Sequence, residues 1–308
     1  MTERVTSAPA FDDVVYNPDR RFPSWHYRML NDAARNRAIE AAIAALPVAG
    51  KTVFEIGAGA GLIALLFAKH GAARVYTCEI NRHLCDIARR IADHSEYRDR
   101  IEIFDVSSGE VVRRGLLPEA PDIIFTETVD SGVIGEGFFG IAADIKALMG
   151  PDTVVLPQRI DQFGMLVDSQ AFYDLNFVHD VCGFDLSFLN TYSTPGYLPV
   201  WAALHDYAPL SESVLLRSYD YTVANPAEAR PLPVTRSGRA HGLLTWFALR
   251  FGAETATSAV DAKSHWHQAF HPFKAPVAVS QDRTIVVTLE NDGTASISNE
   301  TAGGASGG

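Results

Sequence analysis

The sequence predicts an α/β domain built on a parallel sheet, followed by an antiparallel, β-rich domain that closes as a sandwich or barrel. Three observations carry this. Between residues 52 and 158, short apolar strand runs alternate with helical segments, as a parallel sheet covered by helices requires. The first of those strands runs into a glycine-rich turn, "EIGAGAG", that opens a helix. After Pro157 helical periodicity nearly vanishes and strand-like runs take over.

Taken in order, residues 1–24 form an arm, polar and turn-prone, with Pro9, Pro18 and Pro23 and no core of its own. A domain over 25–157 follows. It opens with a helix expected from Trp25 to Leu46, in which Ile39, Ile43 and Leu46 recur at helical spacing, closed by Pro47 and Gly50. "TVFEIG", "RVYTCEI", "RIEIFDV", "PDIIFTET" and "TVVLPQ" are its strands. "GLIALLFAKHG", "RHLCDIARRIADHS" and "FFGIAADIKALM" are helices between them. The second domain, 158–300, reads as strands in "RIDQFGMLVDS", "SVLLRSYDYTVA", "HGLLTWFALRFGA" and "RTIVVTLEND". Residues 186–206 hold at most one compact helix among Pro and Gly turns. The tail, 301–308, is low-complexity and expected to be disordered.

Composition narrows the function. Of 308 residues, 47% are hydrophobic and 20% charged, which is a folded chain rather than a disordered one. The formal net charge of -11, with no basic stripe, argues against a nucleic-acid partner and suits a cationic substrate. Cys78, Cys85 and Cys182 form no CxxC pair, and the start lacks a signal-peptide core; buried thiols and a cytoplasmic location are expected. No apolar run is long enough to span a bilayer, so no membrane partner is expected. His265, His267 and His271 lie close in sequence, yet no carboxylate or cysteine stands at ligand spacing, so no metal is expected.

Gly57, Gly59 and Gly61 lie between a strand and a helix, where glycine lets the backbone turn sharply and approach a ligand. Glu79 ends the next strand, twenty-two residues after Gly57, and a carboxylate there accepts both hydroxyls of a ribose. The spacing alone does not separate a dinucleotide from S-adenosylmethionine. Glu55, before the first glycine, can orient the turn or meet a methionine ammonium. The polar turn "DVSSGE", with Ser108, can meet an adenine edge.

A second stretch, "TETVDSGVIGEGFF" (126–139), places Glu127 and Glu136 nine residues apart among three glycines. Converging carboxylates repel, and the cost is large unless a cation sits between them. Taken singly, Glu127 reads equally well as a strand-end surface residue and Glu136 as an acid at a helix start.

The run Gly57-Ala58-Gly59-Ala60-Gly61-Leu62, with Cys78-Glu79, resembles the cofactor loop of the protein arginine methyltransferases. The two-glutamate stretch resembles that family's substrate loop. "MLND" with Arg35 resembles its N-terminal segment, and "SHWHQ" (264–268) its Thr-His-Trp loop with serine for threonine. "VCGFD" and "IGEG" resemble the monomethylating branch. The resemblance implies a Rossmann-like S-adenosylmethionine-dependent methyltransferase domain followed by an antiparallel β-barrel. It implies a cofactor site including Met29, Arg35, Gly57, Gly59, Gly61, Glu79 and Ser108, with Arg35 on the cofactor carboxylate. Tyr16 and Phe22 would act as lids.

Catalysis would fall to Glu127, Glu136, His265 and Asp32. The two glutamates would grip a planar guanidinium from two sides, the histidine pairing with Asp32 across the domains to take a proton. Trp266 would wall the pocket, a core tryptophan being the plainer alternative. Phe138 would crowd a second methyl and so favour the monomethyl product. A homodimer through a short arm at 186–206 is implied. No extension for large partners is seen, so free L-arginine in a natural-product pathway is the expected substrate, with Arg21, Arg28 or Arg236 on its carboxylate. Protein or peptide arginine is the alternative within the same chemistry, and a non-catalytic scaffold the alternative outside it.

Overall fold

The computed structural model describes residues 21–299; most of the arm, with Tyr16, and the tail at 301–308 lie outside the described residues. Strands β1 (Thr52–Ile56), β2 (Arg74–Cys78), β3 (Ile101–Phe104), β4 (Ile123–Thr126) and β5 (Val154–Leu156) form a parallel sheet in the order β3-β2-β1-β4-β5. The chain moves outward from β1 to β3, then returns to β4 on the other side of β1. The strand order therefore reverses between β1 and β4, and the loops that follow these two strands face one crevice, where open α/β sheets bind ligands. Helices Leu62–Lys69, Arg82–Asp93, Ser108–Arg114 and Phe138–Leu148 connect the strands. Val53, Phe54, Ile124 and Phe125 are buried, the near-continuous apolar run of strands covered on both faces.

The expected helix over Trp25–Leu46 is two helices, Trp25–Leu30 and Ala33–Ala44. Asp32 separates them. Its backbone leaves the helical region, and its side chain accepts a hydrogen bond from the Arg35 amide at 3.0 Å, capping the second helix. Apolar periodicity is continuous through this point, which is why the break does not show in the pattern.

The second part begins with β6 (Arg159–Asp168). It continues through the small hairpin β7 (Asp180–Val181) and β8 (Phe184–Asp185), then β9 (Leu198–Val200), β10 (Ala208–Pro209), β11 (Val214–Tyr219) and β12 (Ala229–Pro233). The long strands β13 (Gly238–Phe251) and β15 (Gln268–Val279) flank β14 (Glu254–Thr257), and β16 (Thr284–Leu289) and β17 (Ala295–Asn299) end it. Seven strands make one antiparallel sheet, ordered β10-β6-β13-β15-β9 with β11 on β6 and β14 on β13; β12, β16 and β17 make a second sheet. Leu166, Leu210, Leu243, Phe273 and Ile285 fill the space between them.

The α/β core does not stop at the junction. Phe247, Leu249, Phe251 and Trp266 of the second part belong to the same buried cluster as Phe54, Phe67 and Phe125, and Phe125 stacks on Phe251 at 5.9 Å. Residues 186–206 hold two short 3-10 turns, Ser187–Tyr192 and Ala202–Leu204, on either side of β9. This region and its approach expose large apolar side chains: Phe184, Leu189 and Leu204 are all exposed, Phe188 is 91% exposed and Tyr192 86%. Cys78 and Cys85 are buried as free thiols, but Cys182, expected to be buried, is exposed at the β7–β8 turn. No helix among the described residues is long and apolar enough to cross a membrane.

Candidate active site

The crevice is lined first by the glycine turn. Gly57, Gly59 and Gly61 all have positive φ, at 89°, 51° and 87°. A side chain at 57 would collide with Thr128 beyond β4, its Cβ 2.8 Å from the threonine methyl, so glycine lets the two crevice loops meet. The Gly57 and Ala58 amides donate to the Cys78 carbonyl, the Gly61 amide to the Ala58 carbonyl, and the Gly59 amide to Glu79 Oε2 at 2.8 Å. Glu79 Oε1 accepts from the Asn81 amide, also at 2.8 Å. The Met29 methyl stands over the turn, 3.9 Å from where a Cβ on Gly59 would lie. Buried beneath it, Glu55 is 1% exposed and its Oε2 has no hydrogen-bond partner. Desolvation pushes its pKa up to about 8 against the opposing Thr77 hydroxyl, with the charge of Glu79 adding to the rise.

These details separate the two cofactor chemistries left open by spacing. A pyrophosphate is cradled by free backbone amides. Here the amides of 57, 58, 59 and 61 already have partners, which leaves it few donors in the turn. An aminoacyl ammonium would satisfy the orphaned Glu55 oxygen, and Glu79 keeps lone pairs for a ribose diol.

Arg35 reaches into the same crevice. Its Nε donates to Glu127 Oε1 at 2.8 Å and its Nη2 to Glu127 Oε2, a bidentate pair whose side chains are 4% and 7% exposed. This modifies two expectations. Arg35 was to meet the cofactor carboxylate, and Glu127 a substrate cation; in this structure each satisfies the other. The physical reason is that neither buried charge can stand alone. Glu136 differs. It is half-buried, and among the described residues no side chain hydrogen-bonds or ion-pairs with its carboxylate. Desolvation pushes its pKa up to about 8, and the charges of Asp130, Glu127 and Glu79 add to the rise.

His265 Nδ1 donates to Asp32 Oδ2 at 3.0 Å, and the His265 amide donates to the same oxygen at 3.1 Å. Both side chains are buried. Burial lowers the His265 pKa despite the Asp32 carboxylate, so the ring is neutral near pH 7 with Nε2 unprotonated. Asp32 lies below the usual carboxylate range: burial opposes this, but the Arg35 amide and His265 outweigh it. Trp266 packs on His265 at 4.1 Å and edge-on to Phe247 at 5.1 Å, and is 8% exposed. The other two histidines have separate surroundings. His267 packs against Trp201, and His271 contacts Thr245 and the Gly293 carbonyl.

Two expected site residues are placed elsewhere. The Ser108 hydroxyl donates to Asp144 Oδ2 at 2.6 Å, joining two helices rather than presenting itself to an adenine. Phe138 is fully buried, packed between Tyr219 at 5.2 Å and Tyr221 at 4.6 Å, so its ring fills the core behind the glutamate loop and does not narrow a substrate pocket. Of the three arginines, Arg28 sits at the seam, its guanidinium carbon 5.5 Å from the Trp201 ring centre. The Arg21 carbonyl accepts from Asn81, near the cofactor turn. Arg236 lies on the second part, its amide bonded to the Leu210 carbonyl. Sequence reading missed Asp130, Tyr197 and Tyr221. Asp130 Oδ2 accepts from the Tyr197 hydroxyl at 2.7 Å, and Tyr221 is buried beside the two glutamates. The signal was Gly132 and Gly135: glycines with no cofactor to approach must be approaching something else.

A turn with few free amides, an orphaned carboxylate for an amino-acid ammonium and an acid for a ribose, on a sheet of this order, fit the methyltransferases that take S-adenosylmethionine. The comparisons with known proteins agree. The arginine methyltransferase oligomerization subdomain matches residues 163–299. An arginine N(omega)-methyltransferase of Streptomyces achromogenes subsp. streptozoticus is 35% identical over 88% of this chain and 76% of its own. Protein arginine N-methyltransferase 9 of Mus musculus is 27% identical over 82% of this chain, which spans 34% of that protein's length. Among solved structures, the PRMT1 enzyme–prozyme heterotetrameric complex of Trypanosoma brucei with AdoHcy shares the fold at TM-score 0.73 and 20% identity, over 87% of each chain. Protein arginine methyltransferase 10 of Arabidopsis thaliana shares it at TM-score 0.67 and 19% identity, over 86% of each chain. The chain belongs to the arginine methyltransferase family, enzymes that draw their methyl group from S-adenosylmethionine.

Proposed function

We propose that this enzyme methylates a terminal guanidino nitrogen of free L-arginine to give N-omega-methyl-L-arginine, and that it works as a homodimer. The observation that carries the reading is Glu136: a desolvated carboxylate with no cation among the described residues, on the same loop as a glutamate already neutralised by Arg35. A guanidinium supplies the charge that Glu136 lacks, and its planar fork matches a carboxylate. The Streptomyces relative, whose name specifies arginine rather than protein arginine, supports the small substrate.

Bound S-adenosylmethionine supplies an electrophilic methyl on a sulfonium. This chain's residues do the rest. Glu136 holds the guanidinium and draws its positive charge away from the attacking nitrogen, which is otherwise a poor nucleophile because its lone pair is delocalised. The attacking nitrogen is held in line behind the methyl, where positioning supplies most of the rate. Methyl transfer to that nitrogen would leave it with one proton to lose. The nitrogen then sheds one proton, and neutral His265 takes it at Nε2 while Asp32 holds Nδ1. Arg28, exposed above Trp201, is the partner for the amino acid's own carboxylate. The apolar surface from Phe184 to Tyr192 is the ground for the dimer.

The test compares kcat/KM for L-arginine, N-acetyl-L-arginine amide and a Gly-Arg-Gly peptide. Capping removes both charges and should cost about tenfold, the order expected when exposed ion pairs worth up to ~1 kcal/mol each are lost. A peptide as good as free arginine would replace the small substrate with a protein one, the activity that the name of the mouse relative carries.

A further inference from the structure

We propose that Tyr197 is a positioning residue for Glu136: its ring and hydroxyl, braced by the second domain, hold the glycine-rich turn that presents the catalytic carboxylate. This rests on Glu136 being the residue that grips the guanidinium. The turn runs from Asp130 to Gly137. Its start follows Glu127, fixed by Arg35, and its end enters the helix at Phe138, fixed in the core. Between these anchors the backbone takes a conformation that its residues resist. Val133 has φ 76°, in the left-handed region that β-branched residues avoid. A turn strained in this way persists only when its surroundings impose it.

Tyr197 is what imposes it. Its hydroxyl donates to Asp130 Oδ2 at 2.7 Å. Asp130 in turn closes the turn on itself: its Oδ1 accepts from the Gly135 amide at 3.0 Å and its carbonyl from the Val133 amide at 3.0 Å. Gly135 is the residue before Glu136, so a single peptide unit links the hydroxyl-bonded carboxylate to the catalytic one. The ring lies in a socket made of glycines. A Cβ on Gly132 would fall inside the Tyr197 ring's contact distance, one on Gly135 would be 2.6 Å from the hydroxyl, and one on Gly293 2.7 Å from the ring. The floor of the socket is fixed by the second domain. The His271 ring lies 5.3 Å from Tyr197, its Nδ1 bonds the Gly293 carbonyl at 2.8 Å, and its Nε2 meets Thr245 Oγ1 at 3.0 Å. A continuous strut therefore runs from β13 and β15 through Gly293, His271 and Tyr197 to Asp130 and the turn.

Two substitutions separate the hydroxyl from the ring. Tyr197→Phe keeps the socket filled and removes only the bond to Asp130. Gly132→Ala puts a methyl where the ring sits. Each is assayed on whichever of free arginine or arginine peptide the unmodified enzyme methylates, so the outcome is independent of the choice between those substrates. Tyr197→Phe should lower kcat about tenfold, with KM changed less than twofold and S-adenosylhomocysteine affinity by calorimetry unchanged. Gly132→Ala should lose more. Asp130→Ala, which removes both side-chain bonds of Asp130, should lose at least as much as Tyr197→Phe, and the double variant should lose no more than the worse single one. The proposal is overturned if kcat of Tyr197→Phe stays within twofold of the parent. It is equally overturned if the Asp130 and Tyr197 losses multiply, or if cofactor affinity falls in step with kcat. Loss of all turnover in Glu136→Gln is the separate test of the reading beneath it.

Discussion

At the scale of single residues, Glu136 has a measurable consequence away from catalysis. Its carboxyl is pushed from 4.5 to about 8 in the folded protein, and Glu55 behaves the same way. The folded enzyme therefore keeps protons that the unfolded chain releases once pH passes about 4.5. With fewer protons bound to the unfolded state, stability falls as pH rises toward 8. Glu136→Gln removes one of these groups. Its Tm should match the parent near pH 4.5 and exceed it at pH 8, while turnover drops at least 100-fold and S-adenosylhomocysteine binding is kept. In the parent, kcat/KM should climb through about pH 8 as Glu136 ionises; the bound guanidinium should move the limb of kcat lower, since an opposite charge favours the carboxylate. An unchanged Tm in Glu136→Gln across that range would show the carboxylate to be better solvated than the structure has it. This residue was legible in sequence through the resemblance of residues 126–139 to the family's two-glutamate loop; the interval alone left an acid at a helix start equally good. Its surroundings were not legible. That Arg35 would take Glu127, and that Phe138 would turn into the core, depends on burial that no local pattern encodes.

At the scale of elements, Asp32 does two jobs at once. It caps the helix Ala33–Ala44 through the Arg35 amide, and it anchors His265 from the other domain. Asp32→Ala should lose both, with about 1 kcal/mol of stability from the cap alone. Asp32→Asn keeps an acceptor for the cap and loses the charge facing the histidine. Activity should fall in Asp32→Asn, Asp32→Ala and His265→Ala alike, but thermal stability should fall most in Asp32→Ala. The Asp32→Ala and His265→Ala losses in kcat should not multiply in the double variant; if they do, the two residues do not act as a pair. The helix break was hidden from sequence because Ala, Asn and Arg continue the helical pattern through it. The sheet was legible for the opposite reason: each strand is short, largely apolar and followed by glycine, acid or proline. The parallel direction followed from the alternation, since parallel neighbours need a crossover between them; the order β3-β2-β1-β4-β5 did not.

At the scale of the whole molecule, the apolar surface around Phe188 and Tyr192 sits among polar neighbours, as an interface between copies would. Phe188→Glu combined with Tyr192→Glu should shift the enzyme to monomer in sedimentation, whereas a parent that is itself monomeric would remove the dimer. This exposed face was not legible, because an apolar residue in sequence does not say whether its own chain covers it.

The cluster that joins Phe125 to Phe251, and the parallel sheet to Trp266, bears on how the molecule comes apart. Two domains with separate cores can melt one after the other and be excised one from the other. Here the boundary in the chain is not a boundary in the packing. Heat should unfold both parts in one calorimetric peak with matching van't Hoff and calorimetric enthalpies. A fragment ending near residue 157 would bare Phe125 to water and precipitate rather than bind cofactor. The loss of methyl transfer on heating and the loss of fold would then be a single event.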